Sequence, residues 1–228
     1  MVAVIGDIHG CYYTLIELYN KIIDKYPGIK VYTVGDLVDR GNNSYQVIEF
    51  IKKNNIQFTA GNHDYMFYHF FKEPTSIFAK SWVFNGNEMT LDSYDSNEAS
   101  VFEHIEFIKE APLYYNLSDC FISHAGISSK YKSMNVDLEE NIYTLIDLIK
   151  SDYNNERGVL WTRDRLLNIG KIQVVGHTKH KDITYDEDSN AVYIDTGACV
   201  GNKLSAVVIE NSQIITTFEV GTKLNDII

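Results

Sequence analysis

Cysteine, positive charge and long apolar runs are scarce in this sequence of 228 residues. Its three cysteines, Cys11, Cys120 and Cys199, are odd in number and far apart, which excludes a regular disulfide framework and a zinc-site spacing. Apolar residues flank each of them, so we expect buried, reduced thiols in a reducing compartment. The cysteine pattern therefore favours a cytoplasmic protein.

Basic residues are outnumbered by acidic ones, 20 to 31, and the formal net charge is -11. An acidic surface repels phosphate backbones, so we expect no nucleic-acid partner. No apolar run approaches the roughly 20 residues of a membrane-spanning helix, so we expect no membrane partner. The first ten residues, MVAVIGDIHG, lack a basic region and a cleavage site, and they predict a strand instead of a signal peptide.

Short apolar runs alternate with helical patterns in the first part of the chain. The runs VAVIG and VYTVG each end in Gly-Asp, and IQFTAGN is similar, so all three predict strands. Apolar residues recur at three- and four-residue spacing within residues 12–26 and 44–54, where Ser44 is a candidate N-cap. Strands that alternate with helices predict an α/β fold.

The rest of the chain is predicted to form helices first and strands later. Residues 65–118 predict a mostly helical cap, and its aromatic run YMFYHFF is interpreted as core, not as a platform for substrate. Residues 136–153 predict an amphipathic helix, and two later strands flank a hairpin turn at Asn211-Ser212. Because no repeat, linker or low-complexity segment interrupts the sequence, we expect a single domain over residues 1–228.

Polar side chains that can bind metals follow almost every predicted strand. In open α/β sheets, binding sites gather at the carboxyl ends of the strands, so residues distant in sequence can meet there. These candidates are two aspartates, one asparagine and four histidines: Asp7, His9, Asp36, Asn62, His63, His124 and His177. His69, His104 and His180 have no such context, and we expect them at the surface or partly buried.

Most of these residues fit a site for two divalent cations. Asp7 and His9 are two residues apart, so in an extended chain both side chains point to one side and can hold one ion together. Asp36 has two carboxylate oxygens and can bridge that ion to a second one. The second ion would be completed by Asn62, His124 and His177. Manganese is the first candidate, with iron, zinc or a magnesium-like ion as alternatives.

Two ions at such a site would clamp a phosphate group for in-line attack by an activated water. Arg40 is then predicted to bind phosphate oxygens through its bidentate guanidinium. His63 is predicted to protonate the leaving oxygen, and Asp39 to orient His63. Arg163 is the candidate for a second phosphate contact, with Arg165 as the alternative. Asp195 follows another strand, and it supports a ligand or merely begins a turn.

Five short motifs give the chain a resemblance to the metal-dependent phosphoprotein phosphatases. They are GDIHG (6–10), GDLVDRG (35–41), GNHD (61–64), SHAG (123–126) and VVGHT (174–178). Further stretches, among them WVFNGNEMTLDSY and YIDTGACVGNKLSAV, are similar to the small bacterial and phage branch, which includes the lambda-phage protein phosphatase and the symmetrical dinucleoside tetraphosphate hydrolases. The one departure in these blocks is Asp64, where the third motif usually has a non-ligating glutamate.

The resemblance implies an α/β/β/α metallophosphoesterase sandwich with two metals at one edge. It assigns the residues named above the same roles that their spacing suggests. The predicted activity is hydrolysis of phosphoserine or phosphothreonine in proteins, because no basic cluster that could hold a tetraphosphate chain is evident in the sequence. The alternative is a symmetrical dinucleoside tetraphosphate hydrolase with the same metal site. A non-catalytic binding module is a third hypothesis, which the complete ligand set disfavours.

Overall fold

A computed structural model of the chain describes residues 1–134 and 142–227. Within these ranges the chain forms two sheets of five strands each. The strands are short, apart from the last two, and all of them pair in register with at least one neighbour. They are β1 (Val2–Ile5), β2 (Lys30–Thr33), β3 (Gln57–Phe58), β4 (Tyr114–Asn116), β5 (Phe121–Ser123), β6 (Gln173–Val175), β7 (Thr184–Asp186), β8 (Ala191–Tyr193), β9 (Lys203–Glu210) and β10 (Gln213–Gly221).

Each sheet has a parallel group of three strands. The first sheet has the order β10-β9-β1-β2-β3, in which β1, β2 and β3 are parallel and β9 and β10 are antiparallel to their neighbours. The second has the order β4-β5-β6-β8-β7, in which β5, β6 and β8 are parallel and the two edge strands are antiparallel. The carboxyl ends of parallel strands lie at the same edge of a sheet, so the loops that follow the three parallel strands of each sheet lie side by side at that edge.

Helices cover the outer faces of the two sheets. The described ranges contain seven α-helices: α1 (Tyr12–Lys25), α2 (Ser44–Lys53), α3 (Asn62–Lys72), α4 (Ile77–Trp82), α5 (Glu88–Ser93), α6 (Val101–Lys109) and α7 (Ile142–Asp152). Short 3-10 turns occur at Glu98–Ser100, Ser129–Met134, Ala198–Val200 and Leu224–Asp226. None of the helices in the described ranges is both long and apolar enough to cross a membrane.

Side chains along β1 point alternately to the two faces of the first sheet, and they contribute to two separate layers of the core. Ile5 points to one face of the first sheet and belongs to a cluster with Leu18 of α1. Val4 points to the other face and packs between the sheets, in a cluster with Val174 of β6. Ile149 of α7 belongs to a third cluster on the outer face of the second sheet. The layers therefore follow the order α/β/β/α, which confirms the predicted fold class.

The predicted cap consists of helices that pack on the first sheet. Phe67 of α3 and Trp82 of α4 are fully buried in the same cluster as the side chains of α1. The prediction is wrong at the end of the range 65–118, because Tyr114–Asn116 pairs with β5 as an edge strand. Two histidines also differ from their prediction, because His69 is buried and His104 is fully buried. The ring nitrogens of His104 bond the Tyr94 hydroxyl and the Glu49 carboxylate, which satisfies the ring in the core.

The other local predictions agree closely with the structure. The helices predicted over 12–26 and 44–54 are Tyr12–Lys25 and Ser44–Lys53, and Ser44 is the first helical residue instead of the N-cap. Asn211 and Ser212 form the hairpin turn with left-handed φ values of 49° and 60°. The predicted helix 136–153 is present as Ile142–Asp152, and residues 136–141 lie outside the described residues. Cys11 and Cys120 are buried free thiols, as predicted, whereas Cys199 is a free thiol that is only partly buried.

The N-terminus of α1 is capped from the far end of the chain. Asp226 is fully buried and accepts hydrogen bonds from the backbone N–H groups of Tyr13 and Thr14, both at 2.9 Å, and from the Thr14 hydroxyl at 2.6 Å. These amides are in the first turn of α1, where the helix itself provides no acceptor. The same carboxylate accepts from Asn43, next to the GDLVDRG loop.

We expect Asp226→Ala to lower the free energy of unfolding by about 1–3 kcal/mol, because it leaves two buried amides of α1 without an acceptor. Urea denaturation monitored by circular dichroism measures this change. The exposed neighbour Asn225 provides the control, since Asn225→Ala removes a side chain of similar size without removing the cap. Equal stability of the two variants would show that Asp226 is not the cap on which α1 depends.

Candidate metal centre and active site

The carboxyl ends of the parallel strands in both sheets meet at one site. The loops after β1 and β2 and the start of α3 after β3 approach it from the first sheet, and the loops after β5 and β6 approach it from the second. All of the predicted metal ligands are buried there. They are Asp7 and His9 after β1, Asp36 after β2, Asn62 after β3, His124 after β5 and His177 after β6.

Asp36 occupies the centre of this group. Its Oδ2 lies 3.3 Å from His9 Nε2 and 3.6 Å from His124 Nε2, so one carboxylate oxygen faces two imidazoles. Its Oδ1 accepts a hydrogen bond from the backbone N–H of His63 at 2.9 Å. Donor atoms of Asp7, Asp36 and His124 all lie within 4.8 Å of one another, as do those of His9, Asp36 and His63. Asp36 is common to both groups, but they divide the other residues differently from the prediction: Asp7 is grouped with His124 instead of His9, and His63, predicted to be the acid, is grouped with His9.

Backbone carbonyls fix which nitrogen of each imidazole faces the site. His9 Nδ1 donates to Val38 O and His124 Nδ1 donates to Val34 O, both at 2.8 Å. A carbonyl oxygen can only accept, so the N–H is at Nδ1 in both rings and the lone pair of Nε2 points into the site. His177 is reversed, because its Nε2 donates to Trp161 O at 3.1 Å and its Nδ1 faces inward. Such outer hydrogen bonds are typical of metal-binding histidines.

The inward-facing atoms form a set of acceptors that suits a cation. Asn62 Oδ1 lies 2.9 Å from His124 Nε2 and 2.8 Å from His177 Nδ1, so three lone pairs converge without a proton between them. Asp7 Oδ1 is buried and has no hydrogen-bond partner among the described residues. Gly176 faces this same oxygen, and a side chain there would overlap it. The residues present thus fit the divalent cations predicted from the sequence.

The electrostatics of the site favour the protonation states that metal ligands need. Burial lowers the pKa of His9 to about 3 and lowers the pKa values of His124 and His177, so these imidazoles are neutral. Burial opposes ionisation of Asp36, yet its pKa lies below the ordinary value, and the backbone N–H of His63 is among the groups that favour the carboxylate. Burial and then the carboxylates of Asp195 and Asp36 raise the pKa of Asp7, a repulsion that a bound cation would relieve.

Arg40 and His63 lie at the mouth of the site. The Arg40 guanidinium donates to His9 Nε2 at 2.9 Å and to His63 Nε2 at 2.8 Å, so it faces the same space as the candidate ligands. His63 Nδ1 donates to Asp39 Oδ2 at 2.6 Å, and both side chains are buried. His63 is therefore oriented by a carboxylate, with its other nitrogen directed into the cavity, as a proton donor to substrate requires.

Two residues of the helical segment hold Asp39 in place. Trp82 Nε1 donates to both of its carboxylate oxygens, at 2.8 and 2.9 Å. The Thr90 hydroxyl donates to Asp39 Oδ1 and accepts from its backbone N–H, both at 2.8 Å. The sequence reasoning assigned neither residue a role, although both occur in WVFNGNEMTLDSY.

We expect Thr90→Val to lower kcat by about 10-fold, because valine has the same shape but loses both hydrogen bonds that position Asp39. Thr90→Ser retains the hydroxyl and should restore most of the rate. Steady-state kinetics with p-nitrophenyl phosphate, together with the metal content of each variant, checks this expectation. A valine variant as active as the serine variant would show that Asp39 does not depend on this hydroxyl.

The backbone at the site is strained in a way that the sequence does not reveal. Within the described ranges, nine non-glycine residues have positive φ, and five of them belong to this site. The other four are three asparagines and one serine. Asparagine tolerates this conformation in turns, and the serine directly follows one of the asparagines. Strained residues of this kind cluster at functional sites. The five are His9 (45°), Asp36 (52°), Asp39 (73°), Arg40 (72°) and His177 (60°).

Arg40, His63 and all of the candidate ligands except His124 line a cavity of about 210 Å³ with additional side chains. Arg163 lines it and donates to the backbone carbonyl of His177 at 3.1 Å. Arg165 is exposed and pairs with Asp188 at 2.5 Å, outside the residues that line the cavity. Asn85 and Trp161 also line it, and the sequence reasoning did not identify them.

Asp195 has features of both of its predicted roles. Its Oδ1 accepts a hydrogen bond from the backbone N–H of Gly197 at 3.0 Å, which is a turn contact. Its charge also raises the pKa of Asp7, so it lies close to a candidate ligand. It is therefore both a turn residue and a neighbour of the metal site.

Comparisons with known proteins agree with this geometry. A family model described as calcineurin-like phosphoesterase matches residues 1–208. The chain is 29% identical over 223 residues to the PrpE bis(5'-nucleosyl)-tetraphosphatase [asymmetrical] of Anoxybacillus flavithermus, covering 90% of this chain and 88% of the relative. It is 30% identical over 224 residues to the protein of the same name in a Geobacillus species, with 89% and 88% covered.

Solved structures share the fold at lower identity. A cold-active protein-tyrosine phosphatase of a psychrophilic Shewanella species aligns with a TM-score of 0.66 at 18% identity, covering 97% of this chain and 80% of the other. A protein serine/threonine phosphatase from Saccharomyces cerevisiae aligns with a TM-score of 0.57 at 14% identity, covering 97% and 79%. At this identity the likeness shows that the architecture is shared.

Proposed function

This chain belongs to the calcineurin-like phosphoesterase family and is a hydrolase of phosphoesters, and we propose that its substrates are dinucleoside tetraphosphates, cleaved asymmetrically. The observation that carries the hydrolytic chemistry is the pair of candidate metal positions that share Asp36, with Arg40 donating into the same space. The substrate class is supported by relatives that are named for it and align over nearly their whole length.

We propose that the site holds two divalent ions. Asp7, His9 and Asp36 would hold one of them, and the second would be held by Asp36, Asn62, His124 and His177. When bound, such ions lower the pKa of a water and neutralise charge on phosphate oxygens. Oxygen and imidazole ligands suit manganese as the first ion to test, with iron or zinc next.

The other residues of the cavity have roles that follow from their contacts. Arg40 is proposed to bind two phosphate oxygens through the nitrogens that contact His9 and His63, and Arg163 to bind a further oxygen from the opposite wall. In this structure His63 Nε2 accepts from Arg40; His63 is proposed to protonate the leaving oxygen through this nitrogen once a substrate phosphate has taken over the Arg40 contact. Asp39 fixes the His63 ring through Nδ1.

This substrate class replaces the protein phosphatase activity predicted from the sequence. The same metal centre can serve either substrate, so the catalytic residues do not distinguish them. The curated relatives favour the predicted alternative, and they are named asymmetrical where the prediction was symmetrical hydrolysis. For diadenosine tetraphosphate, asymmetrical cleavage yields ATP and AMP, whereas symmetrical cleavage yields two molecules of ADP.

Kinetics on two substrates test this proposal. With Mn²⁺, we expect kcat/KM for diadenosine tetraphosphate to exceed that for a phosphothreonine peptide by at least about 10-fold, a difference of about 1.4 kcal/mol in transition-state stabilisation. Chromatography of the products should show ATP and AMP in equal amounts. ADP as the product would overturn the asymmetrical cleavage, and preference for the peptide would overturn the substrate class.

A further inference from the structure

We propose that a second cavity, beside the catalytic one, binds one nucleoside of the substrate; this inference rests on the proposed function. We call it the aromatic pocket and define it by Tyr65, Tyr68, His69, Lys109, Lys150 and Tyr153, which lie on α3, α6 and α7 or, for Tyr153, directly after α7. Its volume is about 430 Å³, within the range of about 300–1,000 Å³ that is typical of small-molecule sites.

The helix that begins with a candidate metal ligand also forms the wall of this pocket. In α3, Met66 and Phe67 are buried in the core. Tyr65 and Tyr68 are three residues apart on a different side of the helix, so they lie next to each other and stay half-buried. The aromatic run YMFYHFF therefore contributes some side chains to the core and others to the pocket. From the sequence, the whole run is interpreted as core.

A series of half-buried rings connects the two cavities. Trp161 lines the catalytic cavity and stacks on Phe78 with ring centroids 5.8 Å apart. Phe78 contacts Tyr65 at 4.9 Å, and Tyr65 contacts Tyr153 at 5.6 Å. The pocket is therefore two ring contacts away from the catalytic wall, a distance that an extended tetraphosphate chain spans. A phosphate at the candidate metals can be joined to a nucleoside in the pocket.

The lining of the pocket suits a nucleoside attached to phosphates. Half-buried tyrosine rings that line a cavity can stack with bases of any sequence. Lys109 and Lys150 line one cavity in a chain whose net charge is -11. Lys109 forms an exposed ion pair with Glu106 at 3.5 Å, and exposed pairs are weak, so both ammonium groups can attract the phosphates next to the nucleoside. The Glu73 carboxylate, paired with His69 at 3.1 Å, adds an acceptor for an amino group on the base. A flat, partly anionic ligand matches all three features.

Two substrates separate binding in this pocket from chemistry at the metals. We expect Tyr68→Ala and Lys109→Ala each to lower the ratio of kcat/KM for diadenosine tetraphosphate to that for p-nitrophenyl phosphate by about 10-fold, mainly through KM. p-Nitrophenyl phosphate carries no nucleoside and serves as the internal reference. Tyr68→Phe retains the ring and should retain the ratio. Lys53→Ala is the matched control for Lys109, because Lys53 also lies at the end of a surface helix.

The possible outcomes distinguish this inference from the function on which it rests. If the unmodified enzyme hydrolyses p-nitrophenyl phosphate but not diadenosine tetraphosphate, the proposed substrate class is wrong. If it hydrolyses both and the ratio is the same in Tyr68→Ala, Lys109→Ala and Lys53→Ala, only the assignment of the aromatic pocket is wrong. A lowered ratio in the two pocket variants alone supports the assignment.

Discussion

Asp36→Asn is expected to lose bound metal and about 1,000-fold or more of kcat. The carboxylate of Asp36 faces His9 and His124 with one oxygen, and no other side chain lies in both of the candidate metal groups. Asparagine has one oxygen and no charge, so it can neither bridge two cations nor balance them. A metal ion contributes several kcal/mol to catalysis, and about 4 kcal/mol corresponds to about 1,000-fold in rate.

The matched control for Asp36→Asn is Asp39→Asn, in the same loop. Asp39 is equally buried, but it contacts His63, Trp82 and Thr90. We therefore expect its asparagine variant to keep the metals and to lose rate only. Inductively coupled plasma mass spectrometry of both proteins, after dialysis against Mn²⁺, measures the difference. Similar metal loss in the two variants would show that the two aspartates do not have separate roles.

His63→Asn is expected to lower kcat by about 100- to 10,000-fold while leaving metal occupancy unchanged, because it removes the proposed proton donor. The His63 side chain lies in one of the candidate metal groups but is not among the proposed ligands, and its backbone N–H, which bonds Asp36, is retained in the variant. Without an acid, the rate depends more strongly on the leaving group. The loss should therefore be larger for phenyl phosphate, whose leaving group is the more basic, than for p-nitrophenyl phosphate.

Comparison of phenyl phosphate with p-nitrophenyl phosphate distinguishes a loss of the acid from a loss of structure in the His63 variant. A misfolded or metal-depleted variant would lose activity on both esters alike. Circular dichroism and metal analysis exclude those causes directly. An equal loss on both esters with the metals retained would contradict the assignment of His63 as the acid, and so would unchanged activity.

The metal site could be predicted from the sequence because its residues follow strands whose parallel arrangement is itself predictable. Asp7, Asp36 and His177 each come directly after an apolar run, and the fold brings those strand ends to one edge. Asp64, which stands where the third motif usually has a non-ligating glutamate, makes a local contact in the structure. It accepts from the backbone N–H groups of Leu37 and Gly61, which joins two of the motif loops.

The contacts around these residues could not be predicted, because they are made by side chains far away in sequence. Trp82 and Thr90 hold Asp39 from the helical segment, and Asp226 caps α1 from the C-terminal turn. None of these pairs has a spacing that indicates contact. The left-handed conformation of Asp36 is equally hidden, since aspartate adopts several backbone conformations.

The sequence favours a protein substrate over a dinucleoside tetraphosphate for a related reason. No cluster of basic residues that could hold a tetraphosphate is evident in the sequence. In the structure, Lys109 and Lys150 are brought to one pocket from α6 and α7, and Arg40 and Arg163 to one cavity from different loops. Basic groups that converge only after folding do not appear as a cluster in the sequence.

The number of metal ions bound per chain is the measurement on which the two-metal centre depends. The protein is stripped with a chelator, dialysed against Mn²⁺ and passed over a desalting column before its metal content is determined. We expect two ions per chain, with hydrolysis of p-nitrophenyl phosphate recovering as the second ion binds. A single ion at full activity, or full activity of the stripped protein, would contradict a centre in which Asp36 bridges two cations.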